Sequence, residues 1–239
     1  MKKILLFCTV LIFTACSDDF PMREGLEGTP GFGLTAETPP EGLKLKSIGG
    51  LFSSQYYYHE NGFVDSIYKI NTWQGDVFTK KFIYNNLNQI IEVHSNEELP
   101  YAPDYNQKQI AYYTYNSVNQ IISSITYDKN NVAIKYYTYS YNDDGTLLNP
   151  NKIIEKENLV REGSVKYQFD NTRNPVYNIY PKAYRLINYI SKNNIIVTET
   201  DDEVLHIHTL KYNNENYIIE EHISNMPLDS DDRRGFSYY

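Results

Sequence analysis

The segment KFIYNNLNQIIEV, residues 81–93, indicates the fold class of this chain. A run of strand-forming residues ends at Tyr84, an asparagine-rich turn follows, and a second run begins at Ile90. Related units are YYYHENGFVDSI (56–67), YTYNSVNQIISSI (113–125), YSYNDDGTLLNP (139–150) and LKYNNENYIIEEHI (210–223). YQFDNTRNPVYNI (167–179) is a degenerate copy with Phe169 in the tyrosine position. The sequence is therefore a set of irregularly spaced repeats.

Each tyrosine unit has the spacing of a β-hairpin. Glycine or asparagine stands four positions after the tyrosine, at Gly62, Asn88, Asn119, Gly145 and Asn216. These residue types tolerate the left-handed backbone that closes a short hairpin loop, whereas a β-branched residue would be strained there. We therefore predict a left-handed conformation at these five positions.

The repeats predict an all-β fold, in which consecutive antiparallel β-hairpins form a curled sheet. Helix is expected in at most one short segment near residues 181–191, because Pro181 precedes apolar residues at helical spacing. Residues 96–106 and 175–182 are predicted to be the longer loops. Loops on a rigid sheet commonly carry recognition, so both are candidate contact regions.

The first fifteen residues have the pattern of an export signal. Lys2 and Lys3 precede a largely apolar run over 4–13, which as a helix would rise about 15 Å, half of a hydrocarbon core. A basic start, a short apolar run and small residues before a cleavage point are typical of a secretory signal peptide. We therefore predict a signal peptide over 1–15.

Thr14, Ala15 and Cys16 resemble the lipobox of bacterial lipoproteins. The resemblance implies that Cys16 is lipidated and anchors the protein to a membrane; the alternative is an ordinary signal peptide that is cut elsewhere. The following Ser17, Asp18 and Asp19 resemble the acidic export signal of Bacteroidota lipoproteins. This second resemblance implies an outer-membrane, lipid-anchored protein at the cell surface.

Composition sets the domain boundary and the net charge. Four prolines and five glycines among residues 17–46 predict a flexible tether over 16–46, with a β-domain over 47–239. The full chain has 22 basic and 30 acidic residues, and removal of Lys2 and Lys3 leaves a net charge of −10. An acidic protein is repelled by phosphate backbones, so we expect no nucleic-acid partner.

The tyrosine units resemble the YD repeats of RHS-type proteins, and more closely those of Bacteroidota surface lipoproteins with such repeats. The resemblance covers about residues 56–223. The Asp of the YD pair is mostly Asn in this chain, at Asn85, Asn116, Asn142 and Asn213. The resemblance implies an architecture of consecutive hairpins, and it implies no chemistry.

Histidines provide the best metal candidate. His206 and His208 are two positions apart on a predicted strand and would face the same side, and His222 on the next strand could supply a third nitrogen. Alternating His and Ile is also ordinary for a half-exposed strand, so we expect no metal and no other cofactor. The sequence contains no glycine-framed serine and no phosphate loop. We expect no enzymatic activity, with a cryptic metal-dependent enzyme as an alternative.

Tyrosine, with 24 of 239 residues, is the strongest compositional signal. Tyr137, Tyr139 and Tyr141 would share one face of a strand, and together with Trp73 they are a candidate surface for a glycan or an envelope protein. The alternative is that tyrosine fills the repeat only because it is a good strand former with a polar tip. We expect a non-catalytic binding role, and a purely structural envelope protein is the alternative.

Overall fold

The computed structural model describes residues 34–39, 41–225 and 230–239. The predicted signal peptide, the lipidation site Cys16 and the export signal Ser17, Asp18 and Asp19 lie outside these residues. The strands are β1 Leu45–Gly49, β2 Phe52–Tyr58, β3 Val64–Asn71, β4 Val77–Tyr84, β5 Ile90–Glu98, β6 Gln107–Tyr115, β7 Ile121–Asp128, β8 Ala133–Thr138, β9 Lys152–Glu155, β10 Asn158–Glu162, β11 Val165–Arg173, β12 Asn193–Glu199, β13 Val204–Tyr212, β14 Ile218–Asn225 and β15 Ser230–Tyr238. Helix α1 is Lys182–Ile187, and short 3-10 turns lie at Pro103–Tyr105 and Tyr177–Ile179.

All of these strands belong to one antiparallel sheet that is not closed. Its order is β8-β7-β6-β5-β4-β3-β2-β1-β15-β14-β13-β12-β11-β10-β9, so the chain starts in the middle, builds one wing outward, and returns through the other wing. β8 and β9 are consecutive in the chain and form the two edges. The all-β prediction is therefore confirmed. The described part of the chain holds no helix with the length and hydrophobicity needed to cross a bilayer.

The hairpin turns have the predicted backbone. Gly62, Asn88, Asn119, Gly145 and Asn216 all have positive φ, between 59° and 87°. In three units the asparagine after the tyrosine, Asn85, Asn116 or Asn213, organises the turn: the Asn85 side-chain oxygen, for example, accepts hydrogen bonds from the backbone N–H of Leu87 and of Gln89, both at 3.0 Å. The Asn85 amide also donates to Gln89 Oε1 at 2.6 Å. An aspartate could not donate this last bond, which explains why asparagine stands in this position.

Four repeat tyrosines of the β1–β8 wing form a hydrogen-bonded ladder between neighbouring units. Each of their hydroxyl groups donates to the carbonyl of the first residue of an earlier strand. Tyr84 donates to Val64 at 2.6 Å, and Tyr115 donates to Ile90 at 2.9 Å. The same bond joins Tyr58 to Leu45 and Tyr141 to Ile121, and Tyr238 of β15 makes it with Ile218. The repeat tyrosine of the other wing, Tyr212, differs, because its hydroxyl donates to the Asp170 carboxylate.

The core lies between the sheet and the segment 174–191. We call the sheet surface that carries Tyr58, Tyr84 and Tyr115 the tyrosine face. On it, the fully buried Phe82 meets the rings of Tyr180 and Tyr184 edge-on, at centroid distances of 5.5 and 5.8 Å. A second buried cluster joins α1 to the start of β7 and consists of Ile121, Leu147, Ala183 and Ile187.

Helix α1 forms within the predicted segment but is shorter than 181–191. Pro181 precedes its first residue, as expected, and the helix ends at Ile187. Tyr189 then adopts a left-handed φ of 53°, which stops helical continuation. The Asn188 side chain donates to the Tyr184 carbonyl at 2.9 Å and so satisfies one of the terminal acceptors.

The degenerate copy around Phe169 does not form a short hairpin. β11 continues through Phe169 to Arg173, and its partner β12 begins only at Asn193. Pro175 follows Asn174 and lacks the N–H that a continuing ladder requires. The segment 174–192 instead leaves the sheet and crosses the tyrosine face. Phe169 therefore does not play the part of the repeat tyrosine that the sequence suggested.

One predicted loop starts later than the sequence indicates. Strand β5 extends to Glu98, so the predicted loop 96–106 starts three residues later. Two residues of the predicted tether make hydrogen bonds to later parts of the chain. The Glu37 carboxylate accepts from the backbone N–H of Lys182, the first residue of α1, at 2.9 and 3.0 Å. The Leu43 N–H donates to the Tyr217 hydroxyl at 3.0 Å.

Candidate ligand-binding cleft

The two edges of the sheet approach each other around a cleft. Side chains from β8, from the segment between the edges, from β9 and from the end of α1 enclose a cavity of about 400 Å³. We call it the seam cleft and define it by Tyr137, Tyr139, Leu147, Asn149, Lys152 and Tyr189. Binding sites for small molecules typically have volumes of about 300–1,000 Å³, so the seam cleft has the size of a ligand site.

The tyrosines of the predicted binding surface have two different roles in the structure. Tyr137 and Tyr139 line the seam cleft, and Tyr137 is 54% exposed. The Tyr139 hydroxyl lies 3.0 Å from Ser124 Oγ, and burial raises the pKa of this tyrosine. Tyr141 instead donates to the Ile121 carbonyl as a member of the ladder, and burial raises its pKa to about 12. Tyr141 is thus a structural residue beside the cleft.

Tyr189 forms one wall of the seam cleft in a strained conformation. A left-handed backbone is unfavourable for a bulky aromatic residue and persists only where the surroundings fix it. Here the Asn149 amide donates to the Tyr189 hydroxyl at 2.8 Å, and Lys152 Nζ lies 3.8 Å from the ring centroid. No local sequence pattern indicates a role for Tyr189, because its position depends on contacts with residues about forty positions earlier.

The lining of the seam cleft is aromatic and polar, and its lysine, Lys152, is ion-paired. Lys152 Nζ is 2.8 Å from Glu162 Oε1, so the ammonium that touches Tyr189 already has a counter-charge. Asn149 and Asn188 supply amide groups at the rim. Tyrosine rings offer an apolar surface with a hydrogen-bonding tip. This arrangement suits a ligand that has apolar faces and hydroxyl edges and carries no net charge.

A smaller cavity of about 30 Å³ lies behind Tyr189, where α1 meets the β9–β10 turn. Two of its charged groups contact Tyr177: the Tyr177 hydroxyl donates to Glu157 at 2.5 Å, and the Arg185 guanidinium lies 4.2 Å from the Tyr177 ring centroid. This volume is close to that of one water molecule. The cavity therefore belongs to the packing of α1 and does not extend the ligand site.

Trp73 does not join the seam cleft. It lies in the turn between β3 and β4 and is 80% exposed, and its backbone N–H is bound by the side-chain oxygen of Asn71 at 3.1 Å. Four strands separate β3 from β8. The structure therefore separates Trp73 from the tyrosines with which the sequence analysis grouped it.

The three histidines do not converge. The rings of His206 and His208 share a face at a centroid distance of 6.4 Å, and His208 Nδ1 lies 2.8 Å from Glu221 Oε1. His208 is opposite Ile223 in the sheet, whereas His222 is opposite Thr209, so His222 points to the other face. Across the described ranges, no group of three or more His, Cys, Asp or Glu residues has an arrangement that could hold a metal ion.

A second, larger cavity lies on the sheet surface opposite the tyrosine face, and no sequence motif predicts it. A groove of about 620 Å³ crosses β2 to β6 and reaches the β7–β8 turn. We call it the opposite-face groove and define it by Tyr57, Tyr68, Lys81, His94, Lys108 and Lys129. Lys81 and His94 alternate with the core residues Phe82 and Val93, which places them on the side away from α1.

Comparison with known proteins identifies no family for the chain. No protein-family model matches it, and no curated protein matches it. Among solved structures, a porin-like protein from Bacteroides uniformis ATCC 8492 aligns with a TM-score of 0.40 and 9% sequence identity, covering 85% of this chain and 100% of that chain.

Proposed function

We propose that this protein is a non-catalytic binding protein of the bacterial cell envelope, and that its seam cleft holds a neutral carbohydrate. The observation that supports the proposal most strongly is the cleft itself. Three tyrosine rings and two amide side chains line about 400 Å³ between the two sheet edges. A sugar ring matches this lining, because its C–H faces pack on aromatic rings while its hydroxyl groups exchange hydrogen bonds with amides and phenols.

The charge distribution favours a neutral sugar over an acidic one in the seam cleft. Lys152 is paired with Glu162, so the cleft offers no free cation to a carboxylate. Binding that depends on stacking and neutral hydrogen bonds responds little to ionic strength, since salt screens only the interaction between charges. The affinity for the sugar should therefore change little between low and physiological salt.

The proposed envelope location rests on the sequence. The lipobox-like Thr14, Ala15 and Cys16 follow a signal-peptide pattern, and Ser17, Asp18 and Asp19 follow the lipidated residue. We expect Cys16→Ser to abolish fatty-acid labelling of the protein and to release it from stable membrane attachment. Stable anchoring needs more than one acyl chain, and the lipoprotein modification, which supplies several, requires the cysteine thiol. Undiminished labelling of the variant would exclude Cys16 as the lipidation site.

A thermal-unfolding screen of the mature chain against neutral oligosaccharides tests the binding role. A ligand that binds only the native state raises the unfolding midpoint in a concentration-dependent manner, and at one hundred times its Kd it adds about 2.7 kcal/mol. At least one neutral oligosaccharide should produce such a rise. If a broad panel produces none at millimolar concentration, the purely structural envelope role becomes the better interpretation.

A further inference from the structure

We propose that the opposite-face groove is a second binding site, independent of the seam cleft, and that it takes a segment of an acidic polysaccharide. The two sites lie on different parts of the sheet. The seam cleft is at the β8 and β9 edges, whereas the groove crosses the middle of one wing on the surface away from α1.

The register of the sheet builds an elongated groove. Ser66 stands opposite Tyr57 and Lys81, and His94 stands opposite Lys81 and Ile110, which makes one continuous row of side chains. Five adjacent strands at about 4.8 Å spacing give the row a length of about 19 Å. A groove of this length accommodates several linked sugar rings and exceeds what a single small anion needs.

Exposed aromatic rings provide stacking surfaces at one end of the groove. Tyr57 and Tyr68 belong to adjacent strands, and both side chains are at least one-third exposed. The Tyr57 hydroxyl donates to Gln55 Oε1 at 2.8 Å, which fixes its orientation and leaves the ring face open. These two rings can pack against the apolar faces of successive sugars.

Exposed lysines lie at the other end. Over the described ranges, no carboxylate lies within 4.0 Å of the ammonium of Lys108 or Lys129, and both residues are exposed. Lys129 interacts electrostatically with the neighbouring Asp128, whose pKa is lowered by the backbone hydrogen bond from Val132 and also by this lysine. Lys81, in contrast, is ion-paired with Asp65, with 3.2 Å between Nζ and Oδ1. The acidic residue of the lining, Asp128, accepts the backbone N–H groups of Asn130 and Val132, both at 2.9 Å, and so faces its own turn.

This local excess of positive charge stands out on a chain of net charge −8. An anionic ligand is attracted by the two exposed ammonium groups. A uronic-acid chain matches the groove, because it has a carboxylate on each acidic ring and uncharged faces that stack on tyrosine. A single-stranded nucleic acid also carries one charge per unit, so a direct comparison of the two ligands has to separate them.

Calorimetric titration of the full mature chain tests the proposal. The probes are a linear galacturonate hexamer and a hyaluronan hexasaccharide, with the fully methyl-esterified galacturonate hexamer as a neutral control of the same length. We expect saturable binding to at least one acidic probe, at least tenfold weaker binding of the ester, and a loss of affinity as salt is raised.

Matched variants locate the binding. Lys108→Gln combined with Lys129→Gln should lower the affinity for the acidic probe at least tenfold, and Tyr57→Ala should lower it at least threefold. Lys156→Gln combined with Lys211→Gln changes the net charge equally at two exposed lysines of the other wing and should leave the affinity within twofold. Tyr137→Ala, which affects the seam cleft, should also leave it unchanged.

Three results would overturn the second site. The first is the absence of saturable binding by either acidic probe at millimolar concentration. The second is an equal loss of affinity in the two double-lysine variants. The third is tighter binding of a twelve-residue oligothymidine than of both acidic sugars, which would identify a nucleic-acid groove. None of these results bears on neutral sugars in the seam cleft.

Discussion

Raising the pH above 10 should unfold the protein within about two pH units. Burial raises the pKa of Tyr56 and of Tyr113 to about 12, and it raises the pKa of Tyr84, Tyr115 and Tyr184 further. The unfolded chain loses its tyrosine protons near pH 10, whereas the folded chain keeps them. Between these values the unfolded state binds fewer protons than the native state, so stability falls as pH rises.

The size of the stability loss at high pH depends on the number of buried tyrosines. One fully buried tyrosine loses about 1.4 kcal/mol of stabilisation per pH unit over the interval in which only its unfolded form ionises. Several such residues together approach the total stability of about 5–15 kcal/mol that is typical of a folded protein. The increase in tyrosinate absorbance that comes from the buried tyrosines should occur in the same cooperative step as the loss of the far-ultraviolet circular dichroism signal. Full ionisation with an intact β-spectrum would contradict the buried ladder.

Phe82→Ala should destabilise the protein by about 3–5 kcal/mol, the range found when a large aromatic residue is removed from a core. Phe82 is fully buried and contacts Tyr180 and Tyr184, so its loss leaves a cavity between β4 and the segment that carries α1. Urea unfolding followed by circular dichroism measures the change in free energy.

Phe52→Ala is the matched control for this variant. Phe52 begins β2 and is exposed, with its ring contacted by Lys69 Nζ at 4.5 Å from the centroid. Its removal should cost less than about 1 kcal/mol, since little apolar area returns to water. A similar cost for the two variants would show that the segment 174–191 does not pack on Phe82 as described.

The hairpins could be predicted because the signals that form them are local. The left-handed residue, the asparagine that binds its own turn and the tyrosine before it all lie within five positions of one another, so each unit can be recognised alone. The sheet order could not be predicted in the same way. The pairing of β1 with β15 joins Leu45 to Tyr238, and no local pattern indicates a contact across so many residues.

The candidate site could be predicted only in part for the same reason. Tyr137 and Tyr139 were identified from alternation along one strand, but the contribution of Tyr189 depends on where the segment after β11 crosses the sheet. The face on which His222 lies could not be predicted either. The sequence indicates that its strand is next to that of His208, and the structure has this pairing. A shift of one residue in register, however, moves a side chain to the other face of the sheet. The repeats specify hairpins, and packing between distant segments specifies the cleft.

Two adjacent tyrosines of β8 allow the most direct test of the seam cleft. Tyr136 and Tyr137 are 66% and 54% exposed and point to opposite faces, and of the two only Tyr137 lines the cleft. The measurement is a calorimetric titration of each alanine variant with the neutral oligosaccharide that stabilises the wild-type protein most. Tyr137→Ala should weaken binding at least tenfold, while Tyr136→Ala should leave it within twofold. Equal affinities for both variants, or a larger loss in Tyr136→Ala, would contradict carbohydrate binding in the seam cleft.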